Sequence, residues 1–452
     1  MRPLVNRLVL GMAGALLVAG GAAKAGSVSK RDCIDRVRDG PAIEYRQGPN
    51  PCKVRAPSAQ RRQTANNPAD LPGATVDDLL IRVRNFNPEL AAAALDREAA
   101  VAKIYPAGAL DDPMLNLSRD QGFRQTLLTV SQDFPLWGKR ELRRDVAQAN
   151  ADAARDREGS VTSQLQEEVK TVFAQYYQAE QSIRVTREIR AVLADVVRAT
   201  RDRYAQGVGT QSDAIRAELE LTRIDPIISG LERDEQSAKA KLNTLIGRSA
   251  DAPLAPPKAL RRVPPPSTLM FKALVARARE ANPTLATARA EIAGAEGERE
   301  LVDKSWYPDV TVTAGVDDLP DMSPRAMVGI GIKVPLQWGV REAQARGATA
   351  KKGAAQLRLD AATLKIGSEL QSALAALAQA QHDQEVLDHA LKPQSEAAYG
   401  SALLSYQQGQ GDLTAVLEAA RQRLQIGIDL LQIRTEAQTA LATIERLIGG
   451  DL

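Results

Sequence analysis

The stretch WYPDVTVTAGVDDLPDMSPRAMVGIGIKVPLQWG runs from Trp306 to Gly339. In it Val310, Val312, Ala314 and Val316 alternate with Thr311, Thr313 and Gly315. After a polar turn, Val328, Ile330, Ile332 and Val334 alternate with Met327, Gly329, Gly331 and Lys333. Period two on both sides of a turn predicts two strands, about 309–316 and 326–334, each with one apolar face and one small or polar face. Runs of roughly ten residues can cross a bilayer as tilted strands. Trp306, Tyr307 and Trp338 fall at the ends that meet when the hairpin closes. Amphipathic rings at that height gird membrane barrels. A soluble hairpin with one face on a core reads the same way in isolation, so the rest of the chain decides.

The 452 residues allow two or three domains. Residues 1–25 carry the marks of a secretory signal: Arg2 and Arg7, an apolar run Leu8–Ala19, and Ala23-Lys24-Ala25 as the cleavage site. That segment holds three of the 59 basic residues and no acidic one, so the remainder balances the 56 acidic side chains. A neutral mature chain gives no ground for nucleic-acid binding. No later run has the ~18 apolar residues of a membrane helix, so a membrane span here means a β-barrel. Cys33 and Cys52 are the only cysteines. Export makes them disulfide candidates, with two free thiols as the alternative. Lys30-Arg31-Asp32 before Cys33 is no lipoprotein signal.

Residues 26–72, rich in Arg, Pro, Gly, Asn and Gln, read as an extended or disordered arm. Thr75 or Asp77 then caps a helix of about thirty residues that ends before Tyr105-Pro106. A strand pair follows at about 112–119 and 123–134, and Trp137-Gly138 closes it as Trp338-Gly339 closes the other. Beyond Trp137, Leu165, Val169, Val172, Tyr176, Ala179, Ile183, Thr186, Leu193, Val197, Thr200 and Tyr204 recur at steps of mostly three and four. Such a seam predicts a helix of about 65 residues, roughly 100 Å long, as in a coiled coil or helical barrel. Gly207-Val208-Gly209-Thr210 ends it, and a helix returns over Ser212–Ile246. After the proline-rich linker 250–266 the pattern recurs over 267–452, as it ran over 73–249. Asn87-Pro88 answers to Asn282-Pro283, Tyr105-Pro106 to Tyr307-Pro308, Tyr204-x-x-Gly207 to Tyr406-x-x-Gly409, and Leu245-Ile246-Gly247 to Leu447-Ile448-Gly449. The chain is therefore duplicated. Each unit is a helix, a strand pair, a long helix, a glycine turn and a returning helix. Pro226 and Pro393 fall inside helical patterns and predict kinks or joins.

Two strand pairs make four strands, and a closed barrel needs about eight or more. One chain alone therefore cannot be the membrane unit. The duplicated unit, the run Asp133-Phe134-Pro135-Leu136-Trp137-Gly138-Lys139-Arg140 and the Tyr-x-x-Gly turns resemble the TolC-like outer membrane efflux protein family, over about residues 73–449. Asp111-Asp112-Pro113-Met114 and Trp137-Gly138-Lys139-Arg140 resemble its heavy-metal branch. The resemblance implies a mainly α fold with a small β part and a homotrimer. Its twelve strands would form one outer-membrane β-barrel, continued by a periplasmic α-helical barrel. It also implies a passive exit duct in a Gram-negative bacterium, in a tripartite efflux pump or type I secretion system, with metal ions as the cargo of that branch. The implied partners are outer membrane lipid, a periplasmic adaptor (membrane fusion) protein and an inner-membrane transporter of RND or ABC type. The alternative is a soluble periplasmic coiled-coil adaptor or scaffold, which leaves the tryptophans at the strand ends without a cause.

By the same resemblance, Gly207, Val208, Gly209 and Thr210, with Gly409, Gln410 and Gly411, dock the adaptor. As plain geometry they only need to reverse the chain. The family's gate carboxylates fall here on Ala415, which departs from the pattern, and on Glu418. Asp213 and Asp412 are further candidates, against ordinary solvated or capping roles. Trp137, Trp306, Trp338, Tyr105 and Tyr307 are the membrane-interface aromatics. His382 and His389 share a helix face, yet a metal site needs three or four convergent groups, so neither a metal nor a cofactor is expected. No Gly-x-Ser-x-Gly, phosphate-binding glycine loop, His-Glu-x-x-His or Cys-x-x-Cys occurs, which argues against an enzyme.

Overall fold

The computed structural model describes residues 71–120, 125–318 and 323–452. The signal, Cys33, Cys52 and nearly all of the arm lie outside them. Helices dominate: α1 (Val76–Phe86), α2 (Pro88–Ala102), α3 (Ile104–Gly108), α4 (Lys139–Ala205) and α5 (Gln211–Leu245) in the first half. The second half has α6 (Phe271–Ala281), α7 (Pro283–Lys304), α8 (Trp338–Val386), α9 (Lys392–Gln407) and α10 (Leu413–Ile448). Four strands complete it: β1 (Met114–Asp120), β2 (Gln125–Phe134), β3 (Asp309–Asp318) and β4 (Arg325–Lys333).

The opening helix departs from expectation in both halves. Asn87 is extended (φ −69°, ψ 125°) and so is Asn282 (φ −70°, ψ 120°), because the ring of the following proline disfavours a helical residue before it. Each asparagine then does two things. Its Oδ1 caps the next helix, accepting from Glu89 and Leu90 N–H in one case and from Thr284 and Leu285 N–H in the other. Its Nδ2 donates at 2.8 Å to a carbonyl at the end of the returning helix, Leu245 O or Leu447 O. Beside each clasp, Gly247 (φ +69°) and Gly449 (φ +73°) pass so close to Phe86 O and Ala281 O that no Cβ fits. Tyr105 and Pro106 do not end the first opening segment but lie within α3, where proline at the third helical position loses no intrahelical donor.

Helix α4 spans 67 residues. Its seam is buried from Leu165 to Thr200, but Tyr204 is exposed, since the helix is about to end at the turn. It packs along α5, α7 and α10. Pro226 sits inside an unbroken α5. Pro393 behaves otherwise: residues 387–391 form a π turn between α8 and α9, where proline lacks an N–H for the His389 carbonyl. Core clusters lie at three places. One is near the glycine turns (Leu193, Val197, Tyr406, Val416), and the other two lie beside the clasps (Leu79, Leu165, Tyr176, Leu242; Leu285, Leu370, Ile444, Leu447).

The strands form one antiparallel sheet in the order β1-β2-β3-β4. Its register aligns the alternation of all four strands. Leu115, Val130, Ala314 and Val328 form one row, Leu117, Leu128, Val316 and Ala326 the next, and Phe134, Val310 and Ile332 a third. Between these rows, on the other face, lie Asn116, Thr129, Gly315 and Met327, then Met114, Ser131, Thr313 and Gly329. Arg119, Thr126 and Asp318 form a polar row at the turn end of this face, and among the apolar rows Gln132 is polar, its amide spent on the carbonyls of Asp111 and Asp133. That face is uncovered: Leu117 is 68% and Val328 78% exposed. Among the described residues, β1 and β4 each have one edge without a neighbouring strand.

Candidate functional site

The sheet is joined to the helices through the run Asp133–Arg140. Trp137 (φ 63°) and Gly138 (φ 77°) are both left-handed, which turns the chain from β2 into α4. The Trp137 indole donates to Pro308 O (3.0 Å) and its ring lies 5.2 Å from that of Tyr307. Lys139 is buried, its ammonium donating to Tyr307 O (2.9 Å) and Asp309 Oδ1 (2.8 Å), so the charge is both paired and hydrogen-bonded. Arg140 donates twice to Gly108 O, the last carbonyl of α3. In the second half Arg341 donates once, to the carbonyl of Ser305 (2.5 Å), the C-cap of α7, and Trp338 packs on Trp306 (5.7 Å). Val340 stands where Lys139 would be, half exposed. Trp137, Trp338, Tyr105 and Tyr307 are exposed and Trp306 is half-buried. All five lie at junctions between helices and strands.

At the far end the two glycine turns lie side by side. Gly207 (φ +73°) and Gly409 (φ +77°) supply the left-handed residue at each helix end. A Cβ on Gly209 or Gly411 would press on the backbone of Tyr204 or of Ser405 and Tyr406. Thr210 is the N-cap of α5, accepting from Asp213 N–H at 3.1 Å, so Asp213 is a first-turn residue and not the cap. Val208 and Gln410 are exposed. Arg203 binds the turns together: it donates to Tyr406 O (3.0 Å), lies over the Tyr406 ring (5.0 Å) and reaches Gly409.

The gate candidates are not brought into contact with one another within the chain. Asp412 caps α10 by position but makes no side-chain cap bond. Glu418 is 70% exposed and pairs with Arg421 at 3.1 Å. Arg421 in turn grips the buried carboxylate of Glu220 on α5 with two hydrogen bonds, and Arg223 adds a third at 2.8 Å. The hydrogen bonds from Arg421 hold the Glu220 carboxyl below the usual glutamate range, against the opposing effect of burial. This link between α5 and α10 escapes sequence reading. Arg421 three residues after Glu418 is visible there, but Glu220 lies 201 positions away. His382 and His389 rim a shallow cavity in which Asp388 is taken by Arg434 (2.8 Å). Among the described residues no group of three or more His, Cys, Asp or Glu could hold a metal, and no helix is long and apolar enough to cross a membrane.

The sequence matches the family described as outer membrane efflux protein over residues 79–248 and 274–450. It is 23% identical over 371 residues to the cobalt-zinc-cadmium resistance protein CzcC of Cupriavidus metallidurans, covering 81% of this chain and 87% of that one. Over 262 residues it is 25% identical to the nickel-cobalt-cadmium resistance protein NccC of Alcaligenes xylosoxydans xylosoxydans, covering 58% of each. The fold is similar to that of the outer membrane protein VceC of Vibrio cholerae: TM-score 0.71 at 18% identity, covering 83% of this chain and 96% of that one. The soluble-scaffold alternative is thereby set aside. The chain belongs to the outer membrane efflux protein family, and it serves as the outer membrane duct of an efflux system, a channel and not an enzyme, with a large helical part in the periplasm.

Proposed function

We propose that three copies of this chain close one twelve-stranded barrel in the outer membrane and continue it as a helical tunnel. One observation carries the reading. The sheet has one apolar, uncovered face, one small and polar face, and two open edges. Four strands cannot close, and open edges in lipid leave backbone groups unsatisfied. Pairing β1 of one copy with β4 of the next satisfies both edges, turns the apolar rows to lipid and leaves the Thr, Ser, Asn and Gly rows around water. Trp137, Trp306, Trp338, Tyr105 and Tyr307 then sit at the periplasmic membrane boundary.

The paired turns at 207–210 and 409–411 are the adaptor-docking end, and Glu418, Asp213 and Asp412 are the carboxylates placed to ring the tunnel there. The energy comes from an inner-membrane transporter reached through that adaptor. Divalent metal ions are the cargo class favoured, because two matched relatives carry metal resistance in their names. Cysteine pairs placed along β1 and β4 test the assembly: cross-linking into trimers with heat-modifiable mobility supports it, and a monomer in detergent overturns it. Loss of cobalt, zinc, cadmium or nickel tolerance on deletion tests the cargo.

A further inference from the structure

We propose that the α8 flank of one copy seats against the α2 flank of the next, and that Arg358 there pairs with Asp96 of the neighbouring copy. The inference rests on the trimer proposed above and names the surfaces that close it below the sheet. Within the chain α2 packs on α4, α4 on α7 and α7 on α8. Helices α2 and α8 are thus the two flanks of this layer, as β1 and β4 are the two edges of the sheet. In the middle joint, a first-half long helix (α4) meets a second-half opening helix (α7). Their repeat counterparts are α8 and α2, which do not pack together inside one chain. A head-to-tail contact between copies brings that second pair together, and three such contacts close a ring.

The counterparts follow residue by residue. Aligning Asn87 with Asn282 lays α2 on α7, and aligning Arg140 with Arg341 lays α4 on α8. The second alignment carries the core with it: Leu165, Val169, Val172, Tyr176 and Ala179 fall on Ile366, Leu370, Ala373, Leu377 and Ala380, all buried. At the α4–α7 joint Arg157 donates to Glu291 at 2.5 Å, and a Cβ on Gly294 would stand 3.7 Å from that of Ala149. The same positions on the flanks are Arg358 with Asp96, and Ala350 with Ala99. Both charges are kept, yet Arg358 and Asp96 are exposed and form no ion pair among the described residues. Burial marks the missing cover. Ala153 is 2% exposed and Gly294 is buried at the joint, whereas their counterparts Ala354 and Ala99 are half-buried and exposed. Uncharged stripes face outward on both flanks, Ala350, Leu357 and Ala361 on α8 and Ala92, Leu95 and Ala99 on α2, each opposite the side that packs within the chain. At the clasp end the seam is wider, since Asp360 replaces Gly159, where a Cβ would stand 3.1 Å from Pro283.

The test uses the full chain in detergent, with Cys33 and Cys52 changed to serine. Ala99→Cys and Ala350→Cys together are expected to form a disulfide between copies, because the 3.7 Å spacing at the internal joint is that of bonded Cβ atoms. Within one chain α4 and α7 intervene, and three helix-to-helix steps hold the two positions about 25 Å apart, too far to bridge. Oxidation should therefore give two- and three-copy species, and neither single-cysteine variant should give them. Asp96→Arg or Arg358→Asp alone is expected to cut the trimer fraction at low salt by about threefold or more, and the double exchange to restore it. A trimeric protein that forms no Ala99→Cys/Ala350→Cys cross-link overturns the seam. A cross-link that forms while the single exchanges do nothing, or while the double exchange fails to restore the trimer, overturns the pair. A wild type that is monomeric in detergent would instead bring down the trimer on which the seam rests.

Discussion

Replacing Asn87 or Asn282 by alanine tests the clasp on which each half closes. Alanine removes the cap of α2 or α7, worth about 1 kcal/mol. It also removes the side-chain donor that, among the described residues, serves Leu245 O or Leu447 O, carbonyls of a last helical turn that have no intrahelical partner. The asparagines are only 6% and 3% exposed, so water does not replace that donor without rearrangement. A buried acceptor left alone costs about 1–3 kcal/mol. Each substitution should therefore cost about 2–4 kcal/mol in all, roughly a 30- to 1,000-fold rise in the open population. Serine divides the two contributions, since its short hydroxyl can still cap but cannot reach the distant carbonyl. Hydrogen exchange supplies the assay. For Asn87→Ala the amides of Glu89 and Leu90 and those at the end of α5 should all exchange faster, whereas for Asn87→Ser those of Glu89 and Leu90 stay protected. Asn282→Ala should do the same to Thr284, Leu285 and the end of α10, and the double variant should be additive because the sites share no partner. Alanine variants within about 0.5 kcal/mol of wild type, the range of an ordinary surface change, would refute the reasoning.

Other outcomes follow from the same geometry. Ile330→Lys, on the apolar face, should cost about 2–4 kcal/mol if it lies near mid-membrane and cut the heat-modifiable species in the outer membrane fraction, whereas Thr313→Lys on the polar face should leave assembly intact. Gly247→Ala and Gly449→Ala add a Cβ in a left-handed conformation against Phe86 O or Ala281 O, and a loss of at least about 2 kcal/mol is expected, read as lower resistance to protease. The Glu220 carboxyl titrates below its unfolded value, so its pairing with Arg421 stabilises fully above the ordinary glutamate range and is lost as pH falls through the depressed value. Protection at the 409–411 turn, taken relative to the intrinsic exchange rate at each pH, should thus fall in acid, and Glu220→Gln should lower it at neutral pH and flatten the acid response.

Local pattern carried the fold a long way. Alternation in Val310–Val316 and Val328–Val334 is enough for two strands, and recurrence of Asn-Pro and Tyr-x-x-Gly is enough for duplication. Register was not legible. Nothing near Val130 in sequence says that Ala314 lies beside it, because that pairing joins the two halves. Asn87 shows the same limit from another side. Its cap is written in the next three residues, but the clasp to Leu245 spans 158 positions. A single helix of about thirty residues is excluded by the backbone restriction that Pro88 places on Asn87, which is local and legible. At the turns the glycines were legible as chain reversals, whereas Arg203 against Tyr406 and Arg421 against Glu220 depend on two hairpins lying side by side.

The corner at Lys139 has an implication for how the two halves have drifted apart. Its ammonium is satisfied only by Tyr307 and Asp309, supplied by the other half, and the matching position there is Val340, which has no such need. The ancestral copies are thus no longer interchangeable. A tandem of two first halves would leave the lysine without its carboxylate, since Ala107 follows Tyr105-Pro106 where Asp309 follows Tyr307-Pro308, and a tandem of two second halves would lose the bolt across the middle of the ribbon. The two corners of the chain are therefore chemically distinct, and the pseudo-symmetry visible in the backbone does not extend to the chemistry.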